Sequence, residues 1–255
     1  MIVLSQGRSG STGVFQAISN LTGQSMFVTE YTGRSPDESD KFLTKHAHDE
    51  GEWLLDYLSK LQKQIPKAGV VGFKWKPFRQ FSSYKGGVDA LKLMSQTDPP
   101  VKVIYSYRNP LDVMISDAKH QASKFSIGWM CKRGDDKCVQ EHQAYRVKLE
   151  TKTLVNTLQK LHQQQVQLEN LLEYHKVPHL KTTYESLFFN NGDAEPWMEI
   201  FRFLGVGPSE GLTMEMVQEA AGTADTSLHR HSDSLSNYAE VERVLKGSEF
   251  HDLLH

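Results

Sequence analysis

The residues best suited to chemistry stand almost at the start of the chain, in Gly7-Arg8-Ser9-Gly10-Ser11-Thr12. Glycines at 7 and 10 let backbone N–H groups turn toward an anion and approach it closely. Ser9, Ser11 and Thr12 add hydroxyl donors, and Arg8 adds a planar, fork-shaped cation. An apolar run leads into this stretch and an apolar-periodic segment leaves it, so the loop opens a helix whose positive end adds to the same anion site. Nucleotide triphosphatases place a lysine before the Ser/Thr of such a loop to reach the outer phosphates, with a metal ion beside it. Here Gly10 is followed directly by Ser11-Thr12, and Arg8 is the loop's own cation. The chemistry expected is metal-free binding of one phosphate group and its bridging oxygen; a plain strand-to-helix turn is the alternative.

A second candidate lies in Val103–His120, "VIYSYRNPLDVMISDAKH". Arg108 stands where an apolar run ends, Pro110 suits the first turn of a helix, and Ser116 falls two turns on. Such an arginine can grip a phosphate in bidentate fashion. It can equally pair with Asp112 or Asp117.

These residues need elements to position them. Short Val/Ile-rich runs predict strands at Ile2–Ser5, Gly69–Trp75, Val101–Tyr107 and His179–Thr183, with a weaker one at Met26–Glu30. Helical spacing predicts helices at Gly13–Thr22, Glu50–Gln64, Gly87–Gln96, Leu111–Ser123, His142–Lys176, Glu195–Leu204 and Asn237–Lys246. Strands separated by helices imply an α/β fold, with a central parallel sheet covered on both faces. Ligands of such sheets sit at the carboxyl ends of the strands. Both candidate phosphate sites follow strand ends. The long segment His142–Lys176 reads as one surface helix, packed through Leu154, Leu158, Leu161, Leu168, Leu171 and Leu172, because its heptad does not persist.

With both motifs in this order, the chain resembles the sulfotransferases that use 3′-phosphoadenosine 5′-phosphosulfate (PAPS). The loop at Gly7–Thr12 is similar to the arginine-bearing form of their 5′-phosphosulfate loop, found in the carbohydrate, tyrosyl-protein and bacterial-type branches. Arg108-Asn109-Pro110 with Ser116 resembles their grip on the 3′-phosphate. Tyr184-Glu185-x-Leu187 resembles a Tyr-Glu-x-Leu element whose tyrosine approaches the adenine, and Trp197–Val206 the helix and loop that follow. Ser236-Asn237-Tyr238-x-x-Val241 resembles the C-terminal element of short members. The resemblance implies a P-loop-like three-layer fold over residues 1–255, PAPS as donor, 3′,5′-adenosine bisphosphate (PAP) as product, and no metal. Arg230, before the C-terminal element, either closes over the cofactor or is a solvated arginine.

Sulfuryl transfer needs a base for the acceptor hydroxyl and cations for the leaving phosphate oxygen. Arg8 is the first choice for that cation and Lys74 the second. The resemblance offers two bases. The phenol and steroid branch places a histidine in Lys-x-His-x-Pro, but this chain reads Lys74-Trp75-Lys76-Pro77. Other branches use a glutamate at the end of the next strand, and Glu30 occupies that place; burial would have to raise its pKa for the role. A surface carboxylate, or His46, His48 or His120 as base, are the competing readings. Lys74 either meets acceptor or sulfate oxygens or caps its strand.

Residues 124–142 are expected to form a lid over the acceptor, or else a surface loop with buried aromatics. Lys132-Arg133 and Asp135-Asp136 read as its charged, hairpin-like tip. Cys131 and Cys138 allow a disulfide, reduced thiols if the chain is cytosolic, or a zinc site with His142.

The chain has 255 residues and a net charge of −2, with pI about 6.6 and mean hydropathy −0.49. Nothing in that balance suggests a nucleic-acid surface, and no apolar run is long enough to cross a bilayer. A strand beginning at Ile2 leaves no room for a signal peptide, so a cytoplasmic location is expected. The acceptor is expected to be a small metabolite or saccharide. A nucleotide-dependent kinase and a silent PAP-binding module are the alternative readings.

Overall fold

The computed structural model describes residues 1–5, 8–22, 30–31, 55, 58–59, 62–63, 70–75, 91–123, 131, 134–189, 192–207, 211–222 and 230–254. Five strands lie in one sheet: β1 (Ile2–Ser5), β2 (Glu30–Tyr31), β3 (Phe73–Trp75), β4 (Val103–Tyr107) and β5 (His179–Thr183). Their order is β2-β3-β1-β4-β5 and every pairing is parallel. The chain leaves β1 toward one side of the sheet and returns to the other side at β4. That reversal makes the crevice outside β1 and β4 the place where such a sheet takes its ligands.

Two compact units divide the chain: residues 1–107 with 167–221, and residues 108–166 with 222–255. In the first unit, side-chain alternation feeds both faces of the sheet. Val3 and Ile104 enter a core with α1 (Ser11–Leu21), α6 (Glu195–Leu204) and α7 (Met214–Ala221), through Phe15, Ile18, Trp197, Phe201 and Val217. Ile2, Val103 and Tyr105 enter an opposite core with Leu91, Met94, Leu168 and Leu172. Two covered faces explain why these strands are continuously apolar. Burial also pushes the Tyr105 phenol's pKa well up. Trp197 satisfies its buried indole by donating to the Leu187 carbonyl at 2.8 Å. Lys102 donates to the Phe203 carbonyl at 2.7 Å, putting a cation at the C-terminus of α6.

The second unit has its own core, built on Leu111, Ile115, Val147, Leu149, Leu154, Leu158, Leu235, Val241 and Leu245. It contains α2 (Pro110–Ser123), α3 (Asp136–Ala144), α8 (His231–Ser234), α9 (Tyr238–Lys246) and a 3-10 turn at His251–Leu254. The helix expected over His142–Lys176 is in fact two. Helix α3 ends at Ala144, residues 145–153 are non-helical, and α4 covers Leu154–Tyr174. The interruption has a visible cause. Val147 and Leu149 are buried while Lys148 and Glu150 are exposed, an alternation of period two rather than 3.6. The backbone of this stretch bonds elsewhere: Val147 N–H to Ser234 O at 2.9 Å and Ser236 N–H to Val147 O at 2.8 Å. Asn237 completes the seam, donating to Leu149 O and accepting from Leu149 N–H. This is the physical work of the Ser236-Asn237 pair.

Three further differences from the sequence reading concern short pieces. Asp135 and Asp136 are not a hairpin tip: Asp135 caps α3, accepting from Cys138 N–H at 3.1 Å, and Asp136 is its first residue. The helices α5 (Tyr184–Phe188), α7 and α8 were not expected; each is short. Cys131 and Cys138 form a disulfide with Cα atoms 5.5 Å apart, which replaces the expectation of reduced thiols and leaves neither sulfur as a thiolate for zinc. Among the described residues no cluster of metal-ligating side chains occurs.

Candidate active site

The loop after β1 is shaped by two left-handed residues. Arg8 has φ 68° and Gly10, the residue before α1, has φ 74°. Glycine accepts that conformation readily, whereas arginine does so at a cost, so the surrounding contacts must hold Arg8 there. Gly10 is constrained a second time. A Cβ built on it would lie 2.3 Å from Cδ2 of Tyr184, so the tyrosine ring rests directly on the glycine backbone. Tyr184 is braced by Phe188 and Phe189, with ring centroids 4.9 Å and 5.3 Å away.

The loop is held from below by Ser106, whose hydroxyl donates to the Ser9 carbonyl at 3.2 Å. Strand register sets up that contact, because Ser5 and Ser106 are Cα partners across β1 and β4. Ser9 and Ser106 are wholly buried and Ser11 nearly so. Ser106 was missed in the sequence, although a small polar residue in the otherwise apolar and aromatic strand Val103–Tyr107 is the signal that could have found it. No acidic residue occupies the first turn of α1, and no side chain caps it. Its first turn therefore carries no carboxylate of its own to offset the helix's positive end.

Lys74 answers the question of the missing lysine. It arrives on β3, is 3 % exposed, and donates from Nζ to Thr12 Oγ1 at 2.8 Å. The loop thus receives its lysine from a neighbouring strand instead of from its own sequence. Lys74 is a Cα partner of Val3 on one side and of Glu30 on the other. The backbone of Glu30 therefore stands beside that of Lys74, at the end of the sheet order. Nothing about the Glu30 side chain is described. Gly7, His46 and His48 lie outside the described residues, as do residues 124–130 of the expected lid.

In the second unit, Arg108 follows the last residue of β4. Its Nε stands 3.8 Å from Asp112 Oδ2, so the acidic neighbour foreseen in the sequence is present. Asn109 caps α2, accepting from Leu111 N–H at 2.9 Å, and donates to the Leu253 carbonyl at 3.0 Å. Ser116 lies one turn beyond Asp112 on α2 and is half-buried. Arg230 is exposed and immediately precedes α8. His120 is half-buried on α2. Lys119 is buried on the same helix and donates to the His142 carbonyl at 3.3 Å; desolvation lowers its pKa from 10.5.

An α/β parallel sheet, with a glycine-pinned hydroxyl loop at its switch point and a lysine delivered to that loop, is the kind of arrangement in which open α/β folds hold anionic ligands. The family model for the sulfotransferase domain matches residues 1–221, and the chain belongs to that family. Among curated proteins none matches it. Members of the family are transferases that move a sulfuryl group. No described helix is long and apolar enough to cross a membrane.

Proposed function

We propose that this chain is a PAPS-dependent sulfotransferase that moves SO₃ to a hydroxyl or amine of a small metabolite or saccharide. The observation that carries the reading is Lys74 seated on Thr12 in a buried loop whose backbone Gly10 and Tyr184 hold in place. In this reading Gly7, Arg8, Ser9, Gly10, Ser11 and Thr12 take the 5′-phosphosulfate. Arg108 and Ser116 take the 3′-phosphate, Tyr184 the adenine side, and Arg230 closes over the cofactor. Glu30 is the base. It removes the acceptor proton as the acceptor oxygen or nitrogen attacks sulfur in line, and the S–O bond to the phosphate breaks. Arg8 and Lys74 stabilise the charge that develops on the leaving oxygen. These cations make a metal unnecessary to the mechanism. Residues 124–142 serve as the acceptor's lid.

Calorimetric titration with PAP, beside ADP and ATP with and without Mg²⁺, tests the donor. Tight metal-independent binding of PAP, weakened roughly 30-fold in Arg108→Ala, is the expected result. Mg²⁺-dependent ATP binding without preference for a 3′-phosphate would replace the reading with a kinase. A cytoplasmic location goes with free thiols and a closed bridge with an oxidising compartment. Thiol titration of the protein as isolated separates them: two reactive thiols support the first, none the second.

A further inference from the structure

Beyond the family-matched residues, one side chain bridges the helix next to Arg108 and the C-terminal turn. His231 Nε2 lies 3.0 Å from Asp112 Oδ1, and its Nδ1 lies 3.3 Å from the Leu254 carbonyl. Asp112 Oδ2, the same carboxylate's other oxygen, is the atom facing Arg108 Nε at 3.8 Å. The side chains of Arg108 and His231 are each 12 % exposed and that of Asp112 is 23 % exposed, so the relay is largely out of water. Its anchor is firm. Arg146 donates to the carbonyls of Ser232 and Leu235 at 2.6 Å and 2.8 Å, on the short segment that carries His231.

We propose that His231 is a positioning residue for 3′-phosphate recognition: it occupies Asp112 so that the carboxylate orients Arg108 without competing with the phosphate for it. This rests on the reading of Arg108 as the 3′-phosphate arginine. A carboxylate beside such an arginine has two opposed effects. It holds the guanidinium in place, but it also repels the incoming phosphate and can take the arginine's fork in a bidentate pair. The observed 3.8 Å contact is longer than a hydrogen bond, so Asp112 steers Arg108 electrostatically and does not clasp it. Donation from His231 to Oδ1 draws charge from the carboxylate and limits its rotation toward Arg108. The carboxylate only accepts, so the bond to Asp112 is a donation from Nε2–H. Asp112 is thus engaged from the chain segment that also carries Arg230. The C-terminal residues would thereby tune selectivity for a nucleotide bearing a 3′-phosphate over one lacking it.

The test measures affinity for PAP and for adenosine 5′-monophosphate, which differ only in the 3′-phosphate, by calorimetry on the full chain. In His231→Ala, PAP binding should weaken about tenfold with 5′-monophosphate binding within twofold. Adding Asp112→Asn should restore most of the loss, because the competing carboxylate is gone; His231→Gln, which keeps a donor, should fall between. A purely structural role would not produce rescue by Asp112→Asn. Equal loss of both ligands, or no rescue, overturns the inference while leaving the donor assignment standing. A wild-type protein without preference for PAP overturns the donor assignment and the inference with it. Should His231→Ala fail to fold, His231→Gln with and without Asp112→Asn carries the same comparison.

Discussion

The two anion-binding candidates are built on opposite principles. Around Gly10 the candidate is built largely on backbone: a left-handed turn, a helix with no acidic residue in its first turn, and a glycine on which the Tyr184 ring rests. Around Arg108 the candidate is built on side chains: an arginine just before α2, a carboxylate and a serine on that helix, and a histidine on the C-terminal segment. A backbone site tolerates almost no added atom, whereas a side-chain relay can be adjusted by degrees. Two buried lysines among the described residues show the same contrast. Lys74 donates to a hydroxyl inside the loop, while Lys119 donates only to a backbone carbonyl among its described hydrogen bonds.

The largest expected effect falls outside both anion sites. Glu30→Gln should lower turnover by about 10²–10⁴-fold while PAP affinity stays unchanged, as removal of a general base requires. Unchanged turnover would move the base elsewhere, with His120 the first described residue to test.

Next, Gly10→Ala should weaken PAP and adenosine 5′-monophosphate alike, by roughly 100-fold, since a Cβ there meets Tyr184 and a positive φ together. A loss confined to PAP would break the assignment of this loop to the 5′ end. Arg108→Ala should do the reverse, costing roughly 30-fold for PAP and little for the monophosphate. Titrating both ligands against both variants reads out the comparison directly.

The smallest effect concerns stability. Lys119→Met should raise the unfolding temperature by a few degrees at pH 7, because a buried ammonium with a carbonyl as partner costs desolvation. The folded-state pKa of Lys119 is depressed below its unfolded value of 10.5, so the unfolded chain binds the proton more tightly. Wild-type stability relative to the methionine variant should therefore rise as pH passes from the folded pKa toward 10.5. Melting curves across that range check the sign. A gap independent of pH would mean that packing, not charge, sets the difference.

Much of this arrangement was readable from local pattern. The runs at Ile2–Ser5 and His179–Thr183 form strands over those residues, and Glu195–Leu204 forms a helix over its whole expected length. Other strands are shorter than their apolar runs: Phe73–Trp75 within Gly69–Trp75, and Val103–Tyr107 within Val101–Tyr107. Val101 is buried but donates its amide to the Thr97 hydroxyl at 3.0 Å, so burial alone did not make it a strand residue. Leucine spacing covers only part of His142–Lys176: Val147 and Leu149 change the period from helical to two within it, and the helix breaks there.

By itself the sequence determined the local chemistry: a hydroxyl-rich glycine loop between strand and helix, an arginine at a strand's end, and enough alternating apolar pattern to require a covered parallel sheet. Those features depend on neighbours along the chain, where periodicity and backbone preference act. Tertiary structure alone decided that Lys74 supplies the loop's lysine from 62 positions away, that Ser106 braces Ser9, and that His231 meets Asp112 across 119 positions. Strand order and core packing bring these partners together, and no spacing rule within a single element can encode contacts that exist only once the elements are assembled.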